Sequence, residues 1–386
     1  MYGNARLYKV SCIKNYAMYE NDHRIVMTLD AGGTNFVFSA IRGCREIVDP
    51  VRLDAVNDDI ARCLDTLVSG FEAIEKELLP EKPAAISFAF PGPADYKAGI
   101  IGDLPNFPCF RGGVAMGPFL YEKFGIPVFI NNDGNLFAYG EALVGTLPKV
   151  NRMLEEAGSA MRYKNLLGIT LGTGFGGGVV IDGKLLSGDN GCGGDVWLMR
   201  NSLYPELIAE ESVSIRAVRR VYREYAKEDA RENLTPKDIF DIAEGIAEGN
   251  VNAARQAFSQ LGKAAADAIV HALDIIDGLV VIGGGLSGAA KYIVPAMKEQ
   301  MRSSLSTFGG DHFPCLQSEV YDLNATEELA EFLRDDSTLV QVPGAERSVR
   351  YRNSRKTGIA VSSIGTSTAI ALGAYAFALN NLNKSK

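Results

Sequence analysis

The chain has 386 residues, 47% hydrophobic and 22% charged, a composition typical of a globular protein and a length that suits two domains. Its formal net charge of −8 argues against a nucleic-acid-binding surface. The sequence has no run of 18 apolar residues, so it predicts no membrane span. Six scattered cysteines without a C-x-x-C pair indicate free thiols in a reducing cytoplasm.

The first half of the chain alternates predicted strands with predicted helices. Residues 1–23 form an extension that precedes this pattern. In chain order, the pattern predicts strands over 25–30, 35–41 and 45–53, a helix to about Leu79, a strand over 84–90, a helix near 114–124, a strand over 127–131 and a helix over 136–143. We expect Asn57 or Asp58 to cap the first helix.

A polar sequence, Asn132-Asp133-Gly134-Asn135, falls where one of these strands ends and the next helix begins. Ligands collect at strand ends in open α/β sheets, so these side chains are candidate site residues. Asn132 or Asp133 could instead serve only as the helix N-cap, and both interpretations stay open at this point.

A predicted strand over 166–171 runs into Gly172-Thr173-Gly174. After Gly178 the chain continues as a further predicted strand. Five glycines in seven residues weaken a strand. They indicate bare backbone N–H groups that can approach an anion closely, as phosphate loops do. A hairpin turn with a bulge is the alternative.

The rest of the second half repeats the alternation. It comprises a glycine-rich loop over 187–198, a helix beginning at Thr235-Pro236, a helix over 250–277, a strand over 278–282 that enters Gly283-Gly284-Gly285, a helix over 289–303, an irregular stretch over 307–356, a strand over 358–363 and a final helix. The basic run between Arg347 and Lys356 is interpreted as a solvated loop. The strand–glycine turn–strand unit thus occurs twice, at 25–41 and 166–181.

Five motifs follow one another along the chain, and they are Asp30-Ala-Gly-Gly-Thr-Asn35, Pro91-Gly-Pro93, Asn132-Asp-Gly-Asn135, Leu171-Gly-Thr-Gly-Phe-Gly-Gly-Gly178 and Ile282-Gly-Gly-Gly285. In their order and rough spacing, residues 24–380 resemble the ROK family (repressors, open reading frames, kinases). The resemblance implies an α/β, two-domain actin-like ATPase (ribonuclease H-like) fold with a cleft between the domains. It also implies the domain ranges, which are a small N-terminal domain over 24–140 joined by the C-terminal helix at about 366–381, and a large domain over 141–365 with an irregular insertion at about 307–356.

The family implies an ATP-dependent, glucokinase-like hexose kinase that uses Mg²⁺. Phosphoryl transfer needs charge neutralisation and an oriented nucleophile. By resemblance, Asp133 is the general base for the sugar's 6-hydroxyl, and Asp30 holds Mg²⁺ through water. The remaining implied contacts are Asn106 and Asn132 to the sugar, Gly32, Gly33, Thr34, Asn35, Gly172, Thr173 and Gly174 to phosphate, and Gly283, Gly284 and Gly285 to adenosine.

The sequence departs from the family in the loop over 187–198. The Glu-x-x-His pair that contacts the sugar in most members becomes Asp195 and Leu198, so the sugar pocket near C1 and C2 should be roomier and less polar. The zinc motif's cysteines are missing except for Cys192 nearby, so the sequence predicts no structural zinc. Trp197 is expected in the core rather than stacked on a sugar.

The second sugar-binding glutamate of the family has a counterpart. Glu210-Glu211-Ser-Val-Ser214 resembles the family's Glu-x-x-x-Ser, which favours Glu210 as a sugar ligand. Two exposed acids at the start of a helix are the alternative interpretation.

The expected substrate is a hexose or an N-acetylhexosamine, and the expected assembly is a homodimer. A different class of function is a sugar-responsive regulator, although 23 residues ahead of the first strand are too few for the DNA-binding module of ROK repressors. A third possibility is a kinase for an acidic or modified sugar, which would gain if Arg352 or Arg355 folded towards the cleft.

Overall fold

The structure is a computed structural model, and it describes residues 19–32, 34–104, 108–227 and 233–384. The chain divides into two compact units. The first unit holds the chain up to Pro148, Gly178–Gly194 and the chain from Ser363, and the second unit holds Lys149–Gly177 and Asp195–Ser362. This division differs from the expected ranges in two respects. The first unit extends to Pro148 rather than to residue 140, and it also includes Gly178–Gly194.

The elements of the described residues follow the predicted alternation of strands and helices. The strands are β1 (Val26–Ala31), β2 (Asn35–Arg42), β3 (Arg45–Glu46), β4 (Val51–Asp54), β5 (Ala85–Ala89), β6 (Ala94–Asp95), β7 (Ile100–Ile101), β8 (Val128–Asn131), β9 (Leu166–Leu171), β10 (Phe175–Ile181), β11 (Lys184–Leu185), β12 (Leu279–Gly283), β13 (Ser304–Ser306), β14 (His312–Pro314), β15 (Glu319–Asp322), β16 (Thr338–Gln341), β17 (Ser348–Tyr351) and β18 (Lys356–Val361). The α-helices are α1 (Ile60–Leu78), α2 (Met116–Phe124), α3 (Asp133–Leu143), α4 (Thr146–Glu156), α5 (Ile215–Ala226), α6 (Pro236–Ala243), α7 (Val251–Ile276), α8 (Ala290–Met301), α9 (Thr326–Leu333) and α10 (Thr366–Lys384).

The first unit is built on a mixed sheet with strand order β3-β2-β1-β5-β8, in which β4 also pairs with β2. Strand β1 pairs antiparallel with β2, while β5 lies parallel to β1 and β8 parallel to β5. An apolar core that includes the rings of Phe38, Phe71 and Phe88 packs the sheet against α1. The parallel strands place the carboxyl ends of β1, β5 and β8 at one edge of the sheet.

Helix α1 begins one or two residues later than expected. Its N-cap is Asp59, whose Oδ1 atom accepts a hydrogen bond of 3.0 Å from the backbone N–H of Arg62. The expectation of Asn57 or Asp58 as the cap is therefore wrong. Helix α6 does begin as predicted. Thr235 is its N-cap, Pro236 is its first residue, and Thr235 and Asp238 form a capping box.

Helices α3 and α10 cross in direct backbone contact within the first unit. A Cβ atom added to Gly140 would lie 2.0 Å from the carbonyl oxygen of Ala369, and one added to Gly373 would lie 1.9 Å from that of Leu136. Every residue from Gly134 to Leu143 is buried. Only glycine permits this approach, so the close contact with α10 fixes the position of α3.

The second unit contains a parallel arrangement in which β12 lies between β9 and β18, and β15 pairs with β18. The register places Gly283 opposite Thr170, so the carboxyl ends of β9 and β12 are adjacent. The stretch over 307–356 is more regular than expected, because it supplies strand β15, helix α9 and the hairpin β16–β17.

Within the described ranges, the structure contains no helix long and apolar enough to cross a membrane. Five of the six cysteines fall in those ranges, and each of the five is a free thiol. Burial raises the pKa of the Cys44 and Cys63 thiols to about 12.

The helix crossing gives a first test of the fold. We expect Gly373→Ala to lower the thermal unfolding midpoint, because overpacking against backbone costs roughly 1–3 kcal/mol. Gly288→Ala is the matched control, since a Cβ at Gly288 meets nothing within 4 Å. Differential scanning calorimetry measures both midpoints, and an unchanged midpoint for Gly373→Ala would contradict the close crossing.

Candidate active site

The junction between β8 and α3 carries Asp133. The side-chain oxygen of Asn132 accepts a hydrogen bond of 2.8 Å from the backbone N–H of Gly134, and the Oδ1 atom of Asp133 accepts one of 2.9 Å from the same N–H. Asn132 is therefore the N-cap, one of the two caps that the sequence allowed, and Asp133 is the first residue of the helix. Because Asn132 is the cap, the Asp133 carboxylate is not required for that purpose.

Two buried asparagines support this junction, of which Asn135 belongs to the predicted motif and Asn131 was not singled out from the sequence. The Oδ1 atom of Asn131 accepts hydrogen bonds from the backbone N–H of Asn132, at 2.8 Å, and from the side chain of Asn135, at 3.1 Å. Both asparagines are 4% exposed. The separation of four residues between the two asparagines, about one helical turn, is the signal that could have revealed Asn131.

The environment of Asp133 raises the pKa of its carboxyl group. The residue remains exposed to solvent, but protein surrounds the carboxyl group closely enough for desolvation to be the largest cause. Hydrogen bonding to Gly134 opposes this rise, and the negative charge of Asp30 adds to it. A carboxylate held in this way is a candidate for proton transfer.

Asp30 lies at the end of β1, on the same sheet edge as the β8–α3 junction. The turn that follows is tight, because Gly32 N–H donates to the carbonyl oxygen of Asn35 at 3.0 Å. The Asn35 amide in turn donates to the Thr34 hydroxyl at 3.1 Å. Gly33 and Asn106, which the sequence also assigns to the site, lie outside the described residues.

A cavity of about 400 Å³ lies beside Asp30, bounded by β1, β2 and α10. Its lining includes Thr28 and Ser39, and Ser39 is 5% exposed. Among the residues that the structure describes, the Ser39 hydroxyl has no hydrogen-bond partner. The cavity thus offers both space and polar groups next to the Asp30 carboxylate.

The glycine turn at 172–174 is held by three hydrogen bonds within the second unit. Gly172 N–H donates to the carbonyl oxygen of Gly174 at 3.0 Å, and Ile215 N–H donates to the carbonyl oxygen of Gly172 at 2.8 Å. Phe175 N–H donates to the carboxylate of Glu210 at 3.1 Å. The N–H groups of Thr173 and Gly174 take part in none of these three bonds, which suits them to an anion.

The glycines at 283–285 lie next to this turn, because Gly284 packs against the backbone of Leu171. Gly284 has a φ of 87°, and a Cβ atom there would lie 2.3 Å from the carbonyl oxygen of Leu171. A Cβ at Gly285 would meet nothing within 4 Å, so there is free space beside this residue. The structure therefore brings together two of the predicted nucleotide-binding sequences, at the adjacent carboxyl ends of β9 and β12.

Gly178 has a different purpose from the turn glycines. A Cβ atom there would lie 2.5 Å from the carbonyl oxygen of Gly134 and 2.8 Å from Asn135 Cα. The residue therefore lets β10 approach the first turn of α3, directly beneath Asp133.

The loop around Asp195 is the most exposed part of the predicted sugar site. Desolvation raises the pKa of Asp195, and a hydrogen bond with the Trp197 side chain opposes the rise. Trp197 is 37% exposed and Leu198 is 53% exposed. The expectation that Trp197 lies in the core is therefore wrong.

A buried asparagine ties this loop to the Glu210 segment. Asn201 is 2% exposed, and its side-chain amide donates to the carbonyl oxygen of Ile208 at 3.1 Å and to the Ser212 hydroxyl at 2.8 Å. Ala209 N–H also donates to the carbonyl oxygen of Met199 at 2.7 Å. The segments that contain Asp195 and Glu210 are thus parts of one local structure.

Comparisons with known proteins agree with this arrangement. Residues 26–319 match the ROK family. The chain is 28% identical to the glucokinase of Thermotoga maritima over 295 residues, which are 71% of this chain and 86% of that protein. It is 32% identical to the N-acetyl-D-glucosamine kinase of Photobacterium profundum over 167 residues, 43% of this chain and 50% of that protein.

A solved structure is more similar. The crystal structure of glucokinase from Parabacteroides distasonis superposes with a TM-score of 0.86 and 62% sequence identity, covering 94% of this chain and 99% of that one. The chain belongs to the ROK family and has the actin-like ATPase fold of its sugar kinases.

Proposed function

We propose that this protein is an ATP-dependent sugar kinase, which transfers the γ-phosphoryl group of ATP to a hydroxyl group of a hexose or an N-acetylhexosamine. Membership of the ROK family supports this proposal, as does the similarity to proteins named glucokinase and N-acetyl-D-glucosamine kinase. The placement of Asp133 carries the proposal, because an accessible carboxylate with a raised pKa at a strand end is suited to accept a proton.

Asp133 acts as the general base in this proposal. Its carboxylate accepts the proton of the sugar hydroxyl, proposed to be the 6-hydroxyl, as the hydroxyl oxygen attacks the γ-phosphorus. The bond between the γ-phosphorus and the β–γ bridging oxygen breaks, and ADP leaves with that oxygen. Asn132 and Asn106 are the proposed hydrogen-bonding partners of the sugar near the reacting hydroxyl.

The residues around Asp30 fit a hydrated Mg²⁺ ion. Magnesium prefers oxygen ligands, keeps several waters and is usually held by one or two carboxylates together with substrate phosphates. Asp30 supplies an exposed carboxylate, and the cavity beside it supplies room and the unpaired hydroxyl of Ser39. A bound Mg²⁺ would neutralise phosphate charge, and it would also offset the repulsion that Asp30 exerts on Asp133.

The backbone supplies the remaining proposed contacts to the nucleotide. Gly32, Gly33, Thr34 and Asn35 form the proposed phosphate-binding turn of the first unit, and Gly172, Thr173 and Gly174 form that of the second. The N–H groups of Gly32 and Gly172 hold these turns closed, so the N–H groups of Thr173 and Gly174 are the proposed donors from the second unit. Gly285, which has free space beside it, is proposed to lie against adenosine together with Gly283 and Gly284. Fixed N–H dipoles of this kind stabilise phosphate charge without reorganising during the reaction.

Asp195 and Glu210 are the proposed ligands of the sugar near C1 and C2. Asp195 is a methylene shorter than glutamate, and the exposed Leu198 beside it offers no hydrogen bond. This end of the sugar site therefore has room for a substituent such as N-acetyl. A carboxylated substrate finds little support, because Arg355 bonds with Gln317 and Arg352 lies beside Tyr163 and Asp335.

Two further properties remain proposals. The five free thiols and the need for ATP suit the cytoplasm. A homodimer stays a prediction that light scattering can test.

The central test is an ADP-release assay with Mg·ATP over a panel of hexoses and N-acetylhexosamines. We expect turnover with at least one sugar, and a decrease in kcat of about 10²–10⁴-fold for Asp133→Asn, because the amide cannot accept the proton. The 6-deoxy analogue of the best substrate is the control, and it should bind without turnover. Turnover of no sugar, or near-full activity of Asp133→Asn, would overturn the proposal.

The raised pKa of Asp133 gives a second test, on stability. Well below the ordinary aspartate pKa of about 4, the proton is bound in both the folded and the unfolded chain, so the raised pKa costs no stability. As the pH rises from there through the raised folded pKa, the folded state loses stability relative to the unfolded state. Asp133→Asn should therefore unfold at a higher temperature than the wild type at neutral pH, and the difference should vanish in acid.

Asp238 is the control for this measurement because the pKa of its carboxyl group is shifted in the opposite direction. Its hydrogen bonds with Thr235 lower the pKa of its carboxyl group, so Asp238→Asn should lower the unfolding temperature at neutral pH and lose this effect in acid. A neutral-pH unfolding temperature of Asp133→Asn below that of the wild type would refute the raised pKa.

Metal analysis tests the prediction of no structural zinc. Among the residues that the structure describes, no three His, Cys, Asp or Glu side chains form a group that could hold a metal. Cys192 is exposed and bonds with the carbonyl oxygen of Asn190. We expect elemental analysis of the purified protein to give zinc well below one equivalent, and stoichiometric zinc would contradict the prediction.

A further inference from the structure

The carboxylate of Glu210 holds the glycine turn that is proposed to bind phosphate. Its Oε2 atom accepts the backbone N–H of Phe175 at 3.1 Å, and its Oε1 atom accepts a guanidinium N–H of Arg216 at 3.1 Å. Arg216 also donates to Glu211 at 2.9 Å. The Glu210 side chain is 21% exposed, so the carboxylate connects the turn to α5 in a partly buried setting.

The turn and the carboxylate fit each other closely. A Cβ atom added to Gly174 would lie 2.5 Å from the Oε2 atom of Glu210 and 3.2 Å from its Cδ atom. A Cβ at Gly172, in contrast, would meet nothing within 4 Å. Position 174 therefore needs glycine because a side chain there would collide with the carboxylate of Glu210.

The other anchor of the turn comes from the same segment of chain. Ile215 N–H, in the first turn of α5, donates to the carbonyl oxygen of Gly172, and Ser214 caps that helix. The segment from Glu210 to Arg216 thus holds both ends of the turn. Between the two anchored ends lie the N–H groups of Thr173 and Gly174.

We propose that Glu210 and Arg216 are positioning residues for the nucleotide, since they fix the direction of the N–H groups of Thr173 and Gly174. This inference deepens the proposed function and rests on it. A carboxylate offers about four acceptor positions, so Glu210 can hold the turn and still accept a hydrogen bond from a sugar hydroxyl. The distinctive consequence is that nucleotide affinity depends on Glu210 even when no sugar is present.

The test measures Mg·ADP binding by isothermal titration calorimetry without sugar, together with the KM values for ATP and for the best sugar. We expect Glu210→Ala to weaken Mg·ADP binding and to raise the KM for ATP by about 10-fold or more, because a hydrogen bond to a charged group is lost. Arg216→Ala should produce a smaller change in the same direction. Glu210→Gln, which keeps an acceptor for Phe175 N–H, should retain most of the nucleotide affinity.

Glu211→Ala is the matched control. Glu211 bonds with Arg216 through its side chain, and none of the three hydrogen bonds that hold the turn involves that side chain, so its removal should change Mg·ADP affinity by less than about twofold. Gly174→Ala is the independent variant, because its Cβ would displace the carboxylate from Phe175 N–H. It should reproduce the Glu210→Ala effect on Mg·ADP, and it provides the test if Glu210→Ala does not fold.

The outcomes separate this inference from the proposed function. Variants of Glu210 and Gly174 that raise only the KM for the sugar, with Mg·ADP affinity unchanged, would overturn the positioning role while the kinase remains. A wild type that binds Mg·ADP but phosphorylates no sugar would overturn the kinase, and the binding measurements would still decide the positioning role.

Discussion

The contact between the backbones of α3 and α10 is the constraint on which the first unit depends. Gly140 and Gly373 let the helices touch, and this contact leaves α3 no freedom to slide along the sheet. Gly178 adds a third close approach, at the first turn of the same helix. Asp133 gains a fixed position because the helix that presents it is held on several sides by backbone atoms, which cannot change rotamer.

The glycine-rich sequence from Leu171 to Gly178 serves several physical purposes. Gly174 makes room for the carboxylate of Glu210, while Gly178 makes room for α3. Gly284 comes from a distant part of the sequence and closes against Leu171. The turn that is proposed to bind phosphate is therefore a product of the packing around it as much as of its own glycines.

The sequence was sufficient for features that depend on neighbouring residues. Strand ends, turn glycines and the cap at Thr235 are local, and these could be predicted. The choice of Asp59 as a cap could not, because three adjacent residues have suitable side chains and only the backbone path selects one. The exposure of Trp197 and the bond between Glu210 and Phe175 depend on contacts between separate segments, which a single sequence does not reveal.

The free thiols have a consequence for chemical labelling. Burial keeps Cys44 and Cys63 protonated at neutral pH, and a protonated thiol is a poor nucleophile. Cys192, in contrast, is the exposed member of the five described cysteines, and it lies in the loop that leads to Asp195. Within the described chain, a thiol-reactive fluorophore would therefore report first on the loop that carries Asp195 and Leu198 in place of the expected Glu-x-x-His pair.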